Sequence, residues 1–200
     1  MPKQTYNNLD KDKKERLIEA CLEEFSHYTF SDSSINRIIK NCDISRGSFY
    51  QYFENKEDCY MEILGIIAQE KYEIFKDVVK DESFSVFDDY INMLKQVRVW
   101  MERQPRYYKI GLLMQKDDSD FVAKLNENNP SMSEYFNYLI RKDQEKGLIR
   151  KDIDPKLLAE VLTITSQKIL TEFFLNKEYD LMIEKSKEII NLLQNGTKVQ

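Results

Sequence analysis

The sequence predicts an all-α protein in which a small N-terminal group of three helices precedes a larger C-terminal helical bundle. Apolar residues recur at helical spacing in nearly every segment, and helix-capping residues separate these segments. Only 5 of the 200 residues are glycine and 4 are proline, which is too few for an all-β fold rich in tight turns. Since 42% of the residues are hydrophobic, the chain can bury a substantial core.

The first three helices are predicted to be short and to end before residue 54. Asp12 with Glu15 is expected to form a capping box for the first helix. The second helix is expected to run from about Ser34, and Ser45 is expected to cap the third. On the third helix, Phe49 and Phe53 are spaced i,i+4 and are expected to face the core. These helices define a predicted head, residues 1–54, and the remaining residues 55–200 define a predicted body.

The body is predicted to begin with a long helix, from its cap Asn55 to about Val79, and to continue with five or six further helices. One helix is expected to start at Ser85 with Asp88 and to end near Arg103, and Pro105 and Pro130 each suit the first turn of a helix. A further helix is expected to start at the capping box Ser131 with Glu134 and to stop at Gly147. The last two are expected from Asp154 with Pro155 to about Leu175 and from Tyr179 to Leu193. A frayed tail is expected over 196–200.

The formal net charge of −5 speaks against binding nucleic acid through bulk charge. The charge is unevenly distributed, however. Between Ser34 and Lys56, four basic and two acidic residues give a local charge of +2, while the rest of the chain carries −7. The sequence is therefore compatible with a basic surface formed by residues 34–56.

Several classes of site find no support in the sequence. The single histidine, His27, excludes a His-based catalytic triad and a multi-His metal site. The three cysteines, Cys21, Cys42 and Cys59, show no CxxC spacing, so they are expected to act as small apolar residues. The adjacent acids Glu23-Glu24 and Asp117-Asp118 are expected to be solvated. We therefore expect no catalytic residue, no metal and no cofactor.

The sequence also gives no sign of a membrane or export segment. Its N-terminus lacks the apolar stretch of a signal peptide, and no segment approaches ~18 consecutive apolar residues. A cytoplasmic protein without a membrane partner is expected.

Residues 34–53 have the proportions of a helix-turn-helix: a short helix, a turn of about four residues and a capped second helix. Hydroxyl groups and helix N-terminal amides can bind phosphate, Arg46 and Gln51 can contact base edges, and Gly47 permits close backbone approach. Lys56 is expected to meet a phosphate. The predicted DNA-binding residues are Ser34, Ser45, Arg46, Gly47, Ser48, Tyr50, Gln51, Tyr52 and Lys56.

The run from Ser34 to Glu57 resembles the DNA-binding signature of TetR/AcrR-type transcriptional regulators. The most specific part is Ser45-Arg46-Gly47-Ser48-Phe49-Tyr50, followed by Tyr52-Phe53 and Lys56-Glu57. The strong match spans about 15–64, and 147–155 resembles a junction common in that family. The sequence departs from the usual pattern at Thr29, Ile39, Cys42 and Asp43. Asp43 replaces a glycine, and Asp tolerates a left-handed backbone better than most residues.

The resemblance implies a homodimer, formed through about Pro155 to Leu193, that binds a palindromic double-stranded DNA operator. Its two second helices would lie ~34–36 Å apart on the DNA. A small-molecule effector, of hydrophobic or aromatic character, is expected to release a repressor of this kind by favouring a different conformer.

Aromatic and Met residues of the body are candidates for an effector pocket. The predicted set is Trp100, Tyr107, Tyr108, Met114, Phe121 and Tyr135. For each of them, ordinary core packing at helical spacing is the more common explanation. A second hypothesis for the whole chain is an all-helical interaction or ligand-carrier protein that has this fold without specific DNA binding, and a helical enzyme is a third.

Overall fold

The computed structural model describes residues 2–76, 85–127 and 132–198, and within them the chain is almost entirely helical. The all-α prediction is confirmed. The helices of the described residues are α1 (Gln4–Asn7), α2 (Lys11–His27), α3 (Ile35–Asn41), α4 (Arg46–Tyr52), α5 (Lys56–Phe75), α6 (Val86–Arg103), α7 (Pro105–Met114), α8 (Asp120–Glu127), α9 (Met132–Glu145), α10 (Pro155–Asn176) and α11 (Tyr179–Thr197).

The chain forms two compact units. The first contains Met1–Glu73 and Arg103–Asn128, and the second contains Ile74–Glu102 and Asn129–Gln200. The short helices α7 and α8 thus belong to the same unit as the helix-turn-helix, although some fifty residues of chain separate them from it. The functional boundary expected between residues 54 and 55 stays a prediction.

The start of the first unit differs from the sequence prediction. Helix α2 is capped by Asp10, whose carboxylate accepts a hydrogen bond from the Lys13 backbone N–H at 2.9 Å. The predicted capping box at Asp12 is therefore wrong by two residues. Helix α1 is not expected from the sequence, because its four residues are too few to show the periodic spacing of apolar residues that identifies a helix.

Three other caps confirm their predictions. The Asn55 side chain accepts from the Asp58 N–H at 2.8 Å and starts α5. Ser85 and Asp88 bond each other's backbone N–H groups as a capping box for α6. Asp154 caps α10, on which Pro155 occupies the first position. The expected helix end at Val79 and the expected starts at Pro130 and Ser131 lie outside the described residues.

Helix α11 extends beyond its predicted end at Leu193. Thr197 is buried, and its carbonyl accepts from the Arg150 N–H at 2.9 Å. Lys198 forms an isolated antiparallel bridge with Ile149. The fraying expected over 196–198 is therefore wrong, since backbone pairing with the α9–α10 connection holds this segment in place.

Each unit has its own apolar core. The core of the first includes the fully buried side chains of Leu17, Phe25, Phe49 and Phe53, and that of the second includes Phe87, Leu94, Phe136, Ile140 and Leu162. All three cysteines are buried free thiols, as expected of small apolar residues. The Sγ atoms of Cys21 and Cys59 lie 3.3 Å apart where α2 meets α5.

Candidate DNA-binding interface

Helices α3 and α4 form the helix-turn-helix expected from the sequence. Ser45 caps α4 by accepting a hydrogen bond from the Ser48 N–H at 3.0 Å. In the turn, Asp43 has a φ of 52°, which is the left-handed conformation that most residues avoid. The turn thus keeps the geometry usually supplied by glycine, with Asp in its place. The second helix of such a motif is conventionally named the recognition helix, which here is α4.

Aromatic packing sets the orientation of the recognition helix. Phe49 and Phe53 are buried, with ring centroids 5.3 Å apart, as their spacing predicts. Tyr52 is also buried, with 6% of its surface exposed, and the Lys13 ammonium lies 5.8 Å from its ring. The expectation that Tyr52 points outward is therefore wrong, because three aromatic side chains rather than two face inward. Its contact with DNA stays a prediction.

The opposite face of the recognition helix is open to solvent. Ser45, Arg46, Gly47 and Gln51 are exposed, Ser48 is half-buried and Tyr50 keeps 37% of its surface exposed. Gly47 has free space around it, since a Cβ added there would meet only Ser45 Oγ, at 3.7 Å. Packing within the protein therefore gives no reason for a glycine at this position.

Arg46 is held in place by two neighbours. Its Nη1 donates to Asn36 Oδ1 at 2.6 Å, and its Nη2 donates to the Tyr50 hydroxyl at 3.3 Å. The guanidinium carbon also lies 5.5 Å from the centre of the Tyr50 ring. Asn36 is on α3, so the two helices of the motif jointly orient one exposed cation. This orientation reduces the side-chain entropy that Arg46 would lose on binding a ligand.

Ser34 starts α3 without a capping bond from its side chain. Its backbone N–H donates instead to Glu24 Oε1 at 2.6 Å. The same carboxylate accepts a bidentate pair of bonds from Arg37, from Nη2 at 2.6 Å and from Nε to Oε2 at 2.9 Å. Glu24 is buried, so the expectation that the Glu23-Glu24 pair is solvated is wrong for its second member. The hydrogen bond to Glu24 raises the pKa of Arg37.

Sequence reasoning missed Glu24, although a signal was present. Glu24 lies seven residues after Leu17 and three after Cys21, which places it on the buried stripe of α2. A buried carboxylate requires a partner. Its partner Arg37 lies on α3, and the pairing depends on how the two helices pack.

Lys56, expected to contact a phosphate, has its ammonium directed at the loop between α2 and α3. It donates to the carbonyls of Phe30 at 2.6 Å, Ser33 at 2.9 Å and Ser31 at 3.3 Å. Burial lowers its pKa. These bonds use all three N–H donors of the ammonium group, so the arrangement accounts for Lys56 as a tie between α5 and the loop. The phosphate contact expected from the sequence stays untested and is not among the contacts proposed for this chain.

The same loop is bonded to the connection between α7 and α8. Asp117 accepts from the Ser31 N–H at 2.7 Å and from the Ser31 hydroxyl at 3.1 Å. Burial opposes the ionisation of Asp117, but hydrogen bonds from Ser119 and Ser31 outweigh it and lower the pKa. On α7, Arg106 binds Glu19 of α2 through both carboxylate oxygens. The expectation that Asp117 is simply solvated is therefore wrong.

The predicted effector-pocket residues are divided between the two units. Tyr107, Tyr108, Met114 and Phe121 lie in the first, while Trp100 and Tyr135 lie in the second. Phe121 packs against Phe30 with ring centroids 4.6 Å apart, which is ordinary core packing. Two of the six, Tyr107 and Trp100, are buried. The other four are half-buried: Tyr108, Met114, Phe121 and Tyr135.

Two general features of the described residues bear on other kinds of site. No group of three or more His, Cys, Asp or Glu side chains within residues 2–76, 85–127 and 132–198 is arranged to hold a metal ion. Among the helices described, none combines the length and apolar character needed to cross a bilayer.

Comparison with known proteins supports the interpretation of the motif. Residues 17–63 match the model of the "Bacterial regulatory proteins, tetR family". The chain is 23% identical over 190 residues to the HTH-type transcriptional regulator YdgC of Bacillus subtilis, a match that covers 92% of this chain and 91% of the relative.

Two solved structures show the same fold along the whole chain or nearly so. A TetR family transcriptional regulator from Chloroflexus aurantiacus superposes with a TM-score of 0.80 and 24% identity, covering 100% of both chains. The regulator FadR from Bacillus subtilis, in complex with stearoyl-CoA, superposes with a TM-score of 0.71 and 17% identity, covering 91% of this chain and 98% of the other. The resemblance expected from the sequence is thereby confirmed: residues 17–63 are similar to the bacterial regulatory proteins of the tetR family, and the chain has the fold of solved regulators of that family.

Proposed function

We propose that this chain is a ligand-responsive transcriptional regulator that represses by binding a palindromic operator as a homodimer. The observation that carries the proposal is the solvent-exposed face of the recognition helix, where a pre-oriented Arg46 stands beside Tyr50, Gln51 and a glycine that the fold does not require. Hydroxyl groups and a helix N-terminus are suited to phosphate, and Arg and Gln to base edges.

The proposed DNA contacts follow from this exposure. Arg46 and Gln51 contact base edges, while the remaining contacts are to the phosphate backbone through Ser34, Ser45, Ser48 and Tyr50. Gly47 allows the backbone of the helix to approach a phosphate or sugar closely. Tyr52 and Lys56 are left out of this set, because the Tyr52 side chain is buried and the Lys56 ammonium bonds three carbonyls of the loop between α2 and α3.

The proposed dimer forms through about Pro155 to Leu193. Four large apolar side chains on α10 are exposed at positions that share one face of the helix, namely Leu157, Val161, Ile164 and Leu175. On α11, Leu192 keeps 73% of its surface exposed. Exposed apolar side chains on two adjacent helices suit burial against a second copy of the same surface.

The proposed effector is a hydrophobic small molecule that favours a conformer with lower operator affinity. The fold of the chain resembles that of FadR, which was solved with stearoyl-CoA bound. Long-chain acyl-CoA thioesters are therefore the first compounds to test. An effector needs a differential affinity of only ~1–3 kcal/mol between the two conformers to act as a switch.

The test is a selection of bound sequences from random duplex DNA by the purified protein. The native chain and a Tyr50→Ala variant are compared, with Tyr72→Ala as the matched control, because Tyr72 is an exposed tyrosine on α5. We expect the native chain and the control to enrich one palindrome and Tyr50→Ala to lose it. No enrichment by the native chain across a range of salt concentrations, with a dimer confirmed by sedimentation, would favour the interaction or carrier protein.

A further inference from the structure

The last turn of the recognition helix receives its hydrogen bonds from the N-terminal segment of the chain. An α-helix leaves its last four carbonyls without partners inside the helix. In α4 these belong to Phe49, Tyr50, Gln51 and Tyr52, and the first of them accepts from the Phe53 N–H at 2.9 Å. The other three carbonyls accept bonds from two residues, Lys3 and Thr5.

Lys3 supplies two of these bonds. Its backbone N–H donates to the Tyr52 carbonyl at 2.8 Å, and its ammonium donates to the Tyr50 carbonyl at 2.9 Å. The Thr5 hydroxyl donates to the Gln51 carbonyl. All four terminal carbonyls of the recognition helix are thus bonded, and a cation lies at the helix end where its charge is favourable.

The segment that supplies these bonds is itself fixed in place. Tyr6 is fully buried, with its ring centroid 5.0 Å from that of Phe53, and the Lys14 ammonium lies 4.4 Å from the Tyr6 ring. The connection between α1 and α2 has only three residues, and the last of them, Asp10, caps α2. The position of Lys3 and Thr5 is therefore determined by the core of the first unit.

We propose that the segment Lys3–Tyr6, the N-terminal brace, positions the recognition helix for operator binding by capping its C-terminal turn. The inference rests on the proposed function. Tyr50 and Gln51, two of the residues proposed to contact DNA, lie in the turn that the brace caps. Without the brace this turn frays, and binding DNA then has to order it again at a cost in affinity.

Variants of the full-length chain can distinguish a structural role of the brace from a direct electrostatic contact between Lys3 and DNA. Lys3→Met removes the ammonium and keeps the backbone bond, while Thr5→Val removes the hydroxyl and keeps the shape. Lys3→Arg and Thr5→Ser restore a donor. Lys11→Met is the charge-matched control, since Lys11 is highly exposed and forms an ion pair across one turn of α2 with Glu15.

We expect the Lys3→Met/Thr5→Val double variant to bind the selected operator about tenfold more weakly, given the usual strength of two hydrogen bonds. Each conservative variant should bind within about twofold of the native chain, as should Lys11→Met. The backbone amides of Tyr50–Phe53 should exchange with solvent faster in the double variant, and by more than the amides of α2. Urea unfolding measures separately any loss of stability of the whole unit.

Three outcomes would overturn the proposal. Unchanged amide exchange in the double variant would show that the brace does not hold the turn, and this result does not depend on whether the native chain binds any operator. Native-like affinity in the double variant would remove the brace from DNA binding. If Lys3→Met alone weakened binding and flattened the log K versus log salt slope by about 1, while Thr5→Val had no effect, Lys3 would be a direct phosphate contact. Failure of the native chain to select any operator counts separately, against the proposed function.

Discussion

The Glu24 carboxylate and the Arg37 guanidinium form a bidentate ion pair that joins α2 to α3, with Glu24 buried and Arg37 partly exposed. Glu24 also accepts the Ser34 N–H. We expect Glu24→Ala to lower the free energy of unfolding by about 2–3 kcal/mol, because it removes charge-assisted bonds at the start of α3. Urea denaturation measures this. Glu23→Ala, which alters an exposed neighbour, is the control, and equal effects of the two would contradict the buried pair.

Gly47→Ala should separate stability from DNA binding. A Cβ at this position meets nothing closer than 3.7 Å, and alanine favours a helix over glycine by ~1 kcal/mol. We therefore expect a slightly higher urea midpoint together with weaker operator binding, since the methyl group would separate the helix from the DNA backbone. Gly65→Ala is the control, because it adds the same methyl to an exposed position of α5 with nothing within 4 Å. Unchanged operator affinity in Gly47→Ala would place the DNA elsewhere.

Lys56→Met should act mainly on stability. The ammonium bonds three carbonyls of the loop between α2 and α3, so its loss should cost about 1–3 kcal/mol of unfolding free energy. The salt dependence of operator binding should stay as in the native chain. The opposite pattern, with native stability and a log K versus log salt slope flatter by about 1, would identify Lys56 as a phosphate contact.

Ile164→Glu should disrupt the proposed dimer. Ile164 keeps 66% of its surface exposed on the apolar face of α10, and a carboxylate buried against a second copy would be strongly unfavourable. We expect a monomer in sedimentation analysis at micromolar concentration, with operator affinity reduced at least tenfold. Leu148→Glu, at an exposed leucine outside 155–193, should remain dimeric. A dimeric Ile164→Glu would exclude this face.

Asp89→Asn should change how stability depends on pH. Asp89 and Asp143 are buried acids of the second unit. Burial raises the pKa of Asp89, and the neighbouring carboxylates of Asp143 and Asp88 raise it further. The folded protein then holds a proton at Asp89 that the unfolded chain releases, so the contribution of this group to stability is greatest at low pH and is lost as pH rises from about 4 through the raised pKa.

The Asn variant removes this loss and should be more stable than the native chain by about 1 kcal/mol at pH 7, where the native carboxylate is buried and charged. Its advantage should shrink at pH 4.5. Urea midpoints at both pH values test this, with Asp118→Asn at an exposed position as the control. An Asn variant that is less stable than the native chain at pH 7 would contradict the predicted direction.

The predictable parts of this fold are those whose signal is local. The caps Ser45 and Asn55 and the capping box Ser85 with Asp88 each depend on residues within a few positions of one another, and the sequence predicts each of them. The exposed face of the recognition helix followed in the same way from the spacing of Phe49 and Phe53.

The parts that could not be predicted depend on packing between distant segments. Nothing near Lys3 in the sequence shows that its partners are carbonyls of Tyr50 and Tyr52. The burial of Tyr52 likewise depends on how neighbouring helices pack against the recognition helix. A helix of seven residues has too few positions for its own pattern to define which aromatic residues face inward.

The contacts of α7 and α8 with the helix-turn-helix bear on how such proteins can be recombined. Phe121 packs on Phe30 and Asp117 bonds Ser31, so the folding unit that carries the motif draws on two separate stretches of chain. Residues 1–54 transplanted onto another regulator would leave Phe30 without this neighbour and the loop at Ser31 without its acceptor. A chimaera that keeps this unit folded should therefore exchange both stretches together, as one discontinuous module.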